Sequence, residues 1–168
     1  RNEEETVREI VEEVYREAPV VDEIIVIDND STDRTVKEVQ RTKARLVFEK
    51  RHGYGFALQR GLREAKGDLI IFFDADGNLP AKDIMKVLAY ADDFDFVKGT
   101  RARHELVEKG SYNPFVSSLV IVANILVSKF QQFLFRGPSL TDAGCTLRLV
   151  NRKTRGLILP HLTVGGGH

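Results

Sequence analysis

An α/β fold, with a mostly parallel sheet flanked by helices, is what the order of patterns along this chain predicts. Three observations carry the prediction. Short apolar runs bounded by polar turns alternate with amphipathic stretches through residues 1–103, the signature of strands joined by helical crossovers. Carboxylates close two of those runs, Asp28 after Ile24-Ile25-Val26-Ile27 and Asp74 after Leu69-Ile70-Ile71-Phe72-Phe73, and open α/β sheets hold their ligands at the carboxyl ends of strands. With 168 residues, 42% of them apolar and 30% charged, the chain can bury the core of one domain.

The elements follow in order. Val7, Ile10, Val11, Val14 and Tyr15 recur at helical spacing, so 4–17 reads as an amphipathic helix. Glu3, Glu4 and Glu5 suit its positive end, and Pro19 stops it. Residues 23–28 read as a buried strand, 29–33 as a polar turn, 33–42 as a helix with Val36 and Val39 inward, and 45–49 as a strand. Gly53-Tyr54-Gly55 opens a helix over 55–66 that Gly67 ends. A strand at 68–73, buried on both faces, a helix near 81–91 and a strand at 94–99 complete this half. The pattern then changes: 104–113 is polar and reads as loop, and 114–135 is strongly apolar. Ser117, Ser118, Asn124, Ser128, Lys129, Gln131 and Gln132 interrupt that run. It fits a core helix, then an amphipathic helix lying on a membrane, and least well a spanning helix of about 20 apolar residues.

Bulk chemistry narrows the function. Twenty-five basic and 25 acidic residues balance, which argues against a nucleic-acid partner. The lone Cys145 forms no internal disulfide, and no Cys/His cluster has zinc spacing; the default location is cytoplasmic. Asp74-Ala75-Asp76 is the most informative feature. Two carboxylates at a strand end are costly to bury unless they meet a cation, and the small central Ala lets both approach one site. All-oxygen ligation suits Mg²⁺ or Mn²⁺, which take one or two carboxylates together with substrate phosphates. Glu3, the pair Asp28 and Asp30, and the pair Asp74 and Asp76 all fall at strand ends or a helix start, where a parallel sheet lets them converge. Singly, each has a bland reading: a helix-start charge, a capped turn, an edge carboxylate.

Ile27-Asp28-Asn29-Asp30-Ser31-Thr32-Asp33-Arg34-Thr35 resembles the "VDDGSTDGT" segment of family 2 glycosyltransferases with the GT-A fold. Arg1-Asn2-Glu3-Glu4 resembles the end of their "PAYNEE" opening, and Gly53 through Gly67-Asp68 their "GxGxAxNxGxxxAxGD" helix. Asp74-Ala75-Asp76 is similar to their "DAD" metal motif, Gly99-Thr100-Arg101 to the "GSR" of polyprenyl-phosphate sugar transferases, and Thr141 to Arg148 to their "TDxxSGFR". The motifs span nearly the whole chain in order. The resemblance implies one partial glycosyltransferase domain over 1–168, with a nucleotide-binding half at 1–103 and an acceptor-side half at 104–168. It implies a nucleoside-diphosphate-sugar donor of UDP or GDP type, Mg²⁺ or Mn²⁺, and an inverting transfer. The apolar 114–135 run tilts the acceptor toward a polyprenyl phosphate or another membrane-linked glycan precursor, with peripheral contact at the cytoplasmic face of the membrane.

Residue by residue, the resemblance places Glu3 beside the nucleotide, Asp28 as hydrogen-bond acceptor for the base, and Asp30 in the adjoining loop. Asp74 contacts the ribose or the metal shell, and Asp76 ligates the metal. Arg101 and Arg148 face phosphates of donor or acceptor. Asp142 is the candidate base; a lipid-phosphate acceptor, already anionic, needs none. His52, His104, His161 and His168 receive no role. Departures are Thr146 in place of the Gly of "SGFR" and a family first strand that falls before Asn2, so the chain reads as a fragment cut at both ends. Two other readings stand beside this one. Asp74-Ala75-Asp76-Gly77-Asn78-Leu79 also resembles the "DxDGTL" box of haloacid-dehalogenase-type phosphatases, with Asp74 as nucleophile and Asp76 as acid/base. A non-catalytic module that binds nucleotide sugar is the second.

Overall fold

A computed structural model describes residues 1–100, 114–136, 142 and 144–163. The elements run α1 (Val7–Glu17), β1 (Ile25–Asp28), α2 (Thr35–Val39), β2 (Arg45–Phe48), α3 (Tyr54–Glu64), β3 (Leu69–Phe72), α4 (Asp83–Leu88), β4 (Phe96–Lys98), α5 (Pro114–Phe135), β5 (Arg148–Asn151) and α6 (Arg152–Ile158), closed by a 3-10 turn at Leu159–His161. The α/β alternation is as expected, with the elements from α1 to β4 each shorter than its sequence pattern. Helix α1 starts at Val7 because the Glu3 carbonyl first accepts the Thr6 and Val7 amides at 3.2 and 3.0 Å, and residues before Thr6 are drawn into contacts elsewhere. Val7, Ile10, Val11 and Val14 are its buried stripe.

Strands β1 and β2 pair in parallel, Ile25 opposite Arg45 through Asp28 opposite Phe48. A second sheet has the order β3-β5-β4. There β3 and β5 are antiparallel, Leu69 opposite Asn151 through Phe72 opposite Arg148. Strand β5 carries only Leu149 and Val150 as apolar residues, too short a run to announce itself.

Side chains of β3 alternate between two apolar clusters, as a pleated strand requires. Ile71 and Phe73 join Ile10 and Val14 of α1 and Ile84 of α4. Ile70 and Phe72 join Leu62 of α3, Val150 of β5 and Ile158 of α6. The expectation of a strand buried on both faces holds at Ile70, is met only in part at Ile71, Phe72 and Phe73, which are half-buried, and fails at Leu69, which is 43% exposed at the strand's start. Gly61 lets α3 lie close on β1, since a Cβ there would stand 3.3 Å from Ile27 Cγ1. Helix α6 starts on an Asn151 cap, whose Oδ1 accepts the Thr154 amide at 2.8 Å. Its Arg155 and Arg152 donate to the carbonyls of Ala65 and Lys66 at the end of α3.

The chain divides into two compact units, Arg1–Val97 with Leu147–His168, and Lys98–Thr146. Helix α5, in the second unit, matches the 114–135 apolar run residue for residue. Val122, Leu126, Val127, Phe130, Phe133 and Leu134 on it are more than half exposed, while Ser128 is fully buried. A core helix is therefore not what its described side chains make. Among the described residues no helix is long and apolar enough to cross a membrane.

Candidate active site

The site is built where β1, β3 and the start of α1 are laced together. At the end of β1, Asp28 is 4% exposed. Its Oδ2 accepts the Ser31 amide at 3.3 Å, and its Oδ1 is buried with no hydrogen-bond partner among the described residues. A buried carboxylate oxygen without a donor is costly, and a ligand N–H is the kind of group that relieves it. Asn29 spends its whole side chain on the neighbouring loop. Its Nδ2 donates to the carbonyls of Glu49 and Arg51, both at 2.8 Å, and its Oδ1 accepts the Gly53 amide at 2.9 Å. This explains why Asn stands where the "VDDGSTDGT" segment has its second Asp: two carbonyls facing one group require a donor.

Asp30 occupies the glycine position of that segment with φ 59°, a left-handed conformation that Asp tolerates better than most residues. It is exposed, and its carboxylate lies 2.9 Å from His52 Nε2. Residues 1–6 run along the same loop. Asn2 Oδ1 accepts the Thr32 amide at 2.9 Å, the Glu3 amide donates to Thr35 Oγ1 at 2.8 Å, and the Glu4 amide donates to Asp33 Oδ2 at 3.2 Å. Burial pushes the Asp33 carboxyl up, but hydrogen bonds from the Thr35 hydroxyl and nearby amides outweigh it and hold the group below its ordinary range. Thr6 completes the lacing: its hydroxyl donates to the Ala75 carbonyl at 2.6 Å. The segments that carry Glu3, Asp28 and the Asp74-Ala75-Asp76 turn are thus joined by hydrogen bonds.

Asp74 is half-buried just past β3, and Asp76 is exposed. Both oxygens of Asp76 are aligned by Asn78, Oδ1 by its amide at 3.0 Å and Oδ2 by its side-chain amide at 2.7 Å. Gly77 between them has φ 77°, a left-handed conformation that favours glycine at this turn. Among the described residues no three His, Cys, Asp or Glu side chains form a cage for a metal ion. A pair of carboxylates at a solvent-facing turn instead fits Mg²⁺ or Mn²⁺ completed by substrate phosphate oxygens.

Arg148 opens β5 opposite Phe72, with its guanidinium 5.9 Å from that ring's centre and its Nε buried without a partner among the described residues. Arg101 lies outside the described residues. Asp142, in the second unit, is 2% exposed, and its Oδ1 accepts the amides of Gly144 and Cys145 at 2.9 and 3.1 Å. That is the geometry of a turn-forming carboxylate.

Three residues escape sequence reasoning. Asn29 hides inside a motif whose acidic members draw attention. Thr6 reads as one more polar residue at a helix start. Tyr54, flanked by two glycines, opens α3 with its hydroxyl in the field of Asp74 and Arg148; burial first, then Asp74, push its ionisation above the ordinary range, so it keeps its proton.

Glu49 supports the loop that Asn29 pins. It is 7% exposed, and Arg51 grips it with Nε on Oε1 and Nη2 on Oε2, both at 2.9 Å. The Arg51 guanidinium and then its amide hold the Glu49 carboxyl down to about 2, from an ordinary 4.5. A lowered carboxyl contributes stability that is complete above its unfolded value and lost as pH falls through its folded value. Melting temperatures measured between pH 4.5 and pH 2 should therefore fall less steeply in Glu49→Gln than in the wild type.

Comparison with known proteins bears on the same residues. Residues 1–155 match the model of glycosyl transferase family 2. The undecaprenyl-phosphate 4-deoxy-4-formamido-L-arabinose transferase of Proteus mirabilis is 26% identical over 161 residues, covering 90% of this chain and 46% of that protein. The low-salt glycan biosynthesis hexosyltransferase Agl6 of Haloferax volcanii is 29% identical over 146 residues, covering 86% of this chain and 34% of that protein. This chain therefore spans less than half the length of either relative. Among solved structures, glucosyl-3-phosphoglycerate synthase from Mycobacterium tuberculosis, crystallised with Mn²⁺, UDP-glucose and phosphoglyceric acid, superposes with a TM-score of 0.67 at 21% identity. That match covers 90% of this chain and 54% of the synthase, and it establishes the shared GT-A fold. The match to the family takes in the Asp74–Asp76 turn, and the phosphatase reading of that turn lapses. The chain belongs to glycosyl transferase family 2.

Proposed function

We propose that this protein transfers a sugar from a nucleoside-diphosphate-sugar donor, of UDP or GDP type, to a polyprenyl phosphate or another membrane-linked glycan precursor, with inversion at the anomeric carbon. The observation that carries the donor half is the lacing of the Asp28 loop, Glu3 and the Asp74–Asp76 turn into one scaffold through Ser31, Thr35 and Thr6. Asp28 receives the base on its unpartnered oxygen, Glu3 lies beside the nucleotide, and Asp30 borders the nucleoside. Asp76, with Asp74, would hold Mg²⁺ or Mn²⁺ against the diphosphate. When bound, that ion offsets the negative charge that builds on the departing nucleoside diphosphate. Arg148, and Arg101 with it, face phosphate groups, and a fixed guanidinium stabilises the same developing charge.

On the acceptor side, a lipid phosphate is already anionic and attacks without a protein base; Asp142 is the base if the acceptor is a hydroxyl. The exposed apolar side chains of α5, Phe130, Phe133 and Leu134 among them, support a peripheral seat on the cytoplasmic face of the membrane, with Lys129 and Arg136 beside them for anionic headgroups.

Release of nucleoside diphosphate tests the reading. Full-length protein is incubated with UDP- and GDP-sugars and Mn²⁺, with and without vesicles carrying polyprenyl phosphate. Acceptor-dependent release from one donor type supports the proposal; a folded protein that releases neither nucleotide counts against it. In the same assay Asp28→Ala should raise the donor KM about tenfold, the worth of a hydrogen bond to a charged group. Its cost in melting temperature should be modest, because among the described residues Oδ1 is unpaired and only the 3.3 Å bond from the Ser31 amide to Oδ2 is lost.

A further inference from the structure

Two exposed side chains join the loop after β1 to the loop after β2. Asp30 stands at φ 59°, where the family segment has glycine, and a side chain is kept in that conformation only at a cost. Its Oδ2 lies 2.9 Å from His52 Nε2, and both side chains are more than half exposed. A carboxylate only accepts, so the imidazole N–H donates. The backbone on either side of His52 is fixed. The Arg51 carbonyl accepts Asn29 Nδ2 at 2.8 Å, and the Gly53 amide donates to Asn29 Oδ1 at 2.9 Å. On the far side of Asp30, the Ser31 amide donates to Asp28 Oδ2 at 3.3 Å. A run of contacts therefore leads from the imidazole through Asp30 and the Ser31 amide to Asp28, whose Oδ1 has no partner among the described residues.

The geometry points to His52 as a positioning residue for nucleotide recognition: by holding Asp30 it keeps the Ser31 amide on Asp28 Oδ2 and so aims Asp28 Oδ1 at the nucleobase. This assignment rests on the transferase reading above. Glycine at position 30 would make the same turn without strain, and Asp there gives His52 its acceptor. The Ser31 bond is long for N–H···O, so a small movement of the Asp30–Ser31 peptide loses it. Asn29 holds the buried side of this pair of loops, and His52 with Asp30 holds the exposed side. Arg1 Nε donates to the Asp30 carbonyl and the Asn2 amide to Ser31 Oγ, both at 3.1 Å. Loss of the imidazole therefore loosens the turn without unfolding it, and an exposed ion pair adds little to stability.

Calorimetric titration of the full-length protein in Mn²⁺ tests this, with UDP, GDP and inorganic pyrophosphate as probes. His52→Ala should weaken binding of the nucleoside diphosphate about fivefold and keep the wild-type melting temperature. Pyrophosphate, which has no base, should bind within twofold of wild type. His52→Gln, whose side-chain amide can stand in for Nε2–H, should recover most of the loss. Asp30→Gly should reproduce the loss without lowering the melting temperature, since glycine suits φ 59°. With Asp28→Ala already present, His52→Ala should cost nothing further, because its effect passes through Asp28. Diphosphate affinity within twofold of wild type in His52→Ala overturns the assignment. So does an equal loss for pyrophosphate, which would mean a general loosening of the site. So does a full further loss on top of Asp28→Ala, which would place His52 on the nucleotide itself. If the folded wild type binds neither nucleoside diphosphate, the transferase reading falls and His52 falls with it. Wild-type binding with an unaffected His52→Ala removes His52 alone.

Discussion

Asp76→Ala should abolish the Mn²⁺ dependence of nucleotide binding, a loss of about a hundredfold or more in affinity when the metal is present. The reason lies in how little else is offered to the ion. Among the described residues no other cluster of ligating side chains is available, so removing one of two carboxylates leaves the ion with a single protein anchor. The fold should be spared. Asp76 is exposed, and among the described residues its side chain bonds to Asn78 two residues away, so the stability change should stay within about 0.5 kcal/mol. Calorimetry with and without Mn²⁺, beside a urea melt, separates the two effects. Undiminished metal-dependent affinity in this variant would remove the metal site from Asp76.

Asn29→Ala should be the most destabilising substitution in the site, at about 3 kcal/mol. Asn29 is 8% exposed and makes three bonds of 2.8–2.9 Å that hold the loop after β2 against the end of β1. Alanine leaves two carbonyls and the Gly53 amide without their partner in a space that the side chain now fills. The loop is pinned beside Asp28, so nucleotide affinity should fall together with stability. A urea midpoint equal to wild type would show that the loop is held by other means.

The contrast between Asp76 and Asn29 shows which parts of this molecule are legible in sequence. Asp74-Ala75-Asp76 announces itself because two carboxylates after five apolar residues have no comfortable bland explanation, and strand-end geometry tells where they point. The helices α1 and α3 are legible because their apolar spacing repeats over eleven residues each. Strand β5 is not, because four residues, Arg148 to Asn151, give no period to read, and its pairing partner β3 is far away in the chain. Helix α6 buries no residue fully; its cap and the grip of Arg152 and Arg155 on the end of α3 appear only in three dimensions. The same holds for Asn29 and Thr6, whose polar side chains matter through the backbone carbonyls they meet. Helix α1 starts later than its apolar and acidic pattern for a related reason, since Asn2, Glu3 and Glu4 bond to the loop after β1 in preference to extending the helix.

Titration of UDP and GDP into the full-length protein, each with and without Mn²⁺, bears most directly on the donor site. Binding of one nucleotide that depends on the metal is the expected result, and it names the donor. A folded protein that binds neither nucleotide under any of the four conditions would contradict the assignment of Asp28, Asp74 and Asp76 to a nucleotide-sugar site.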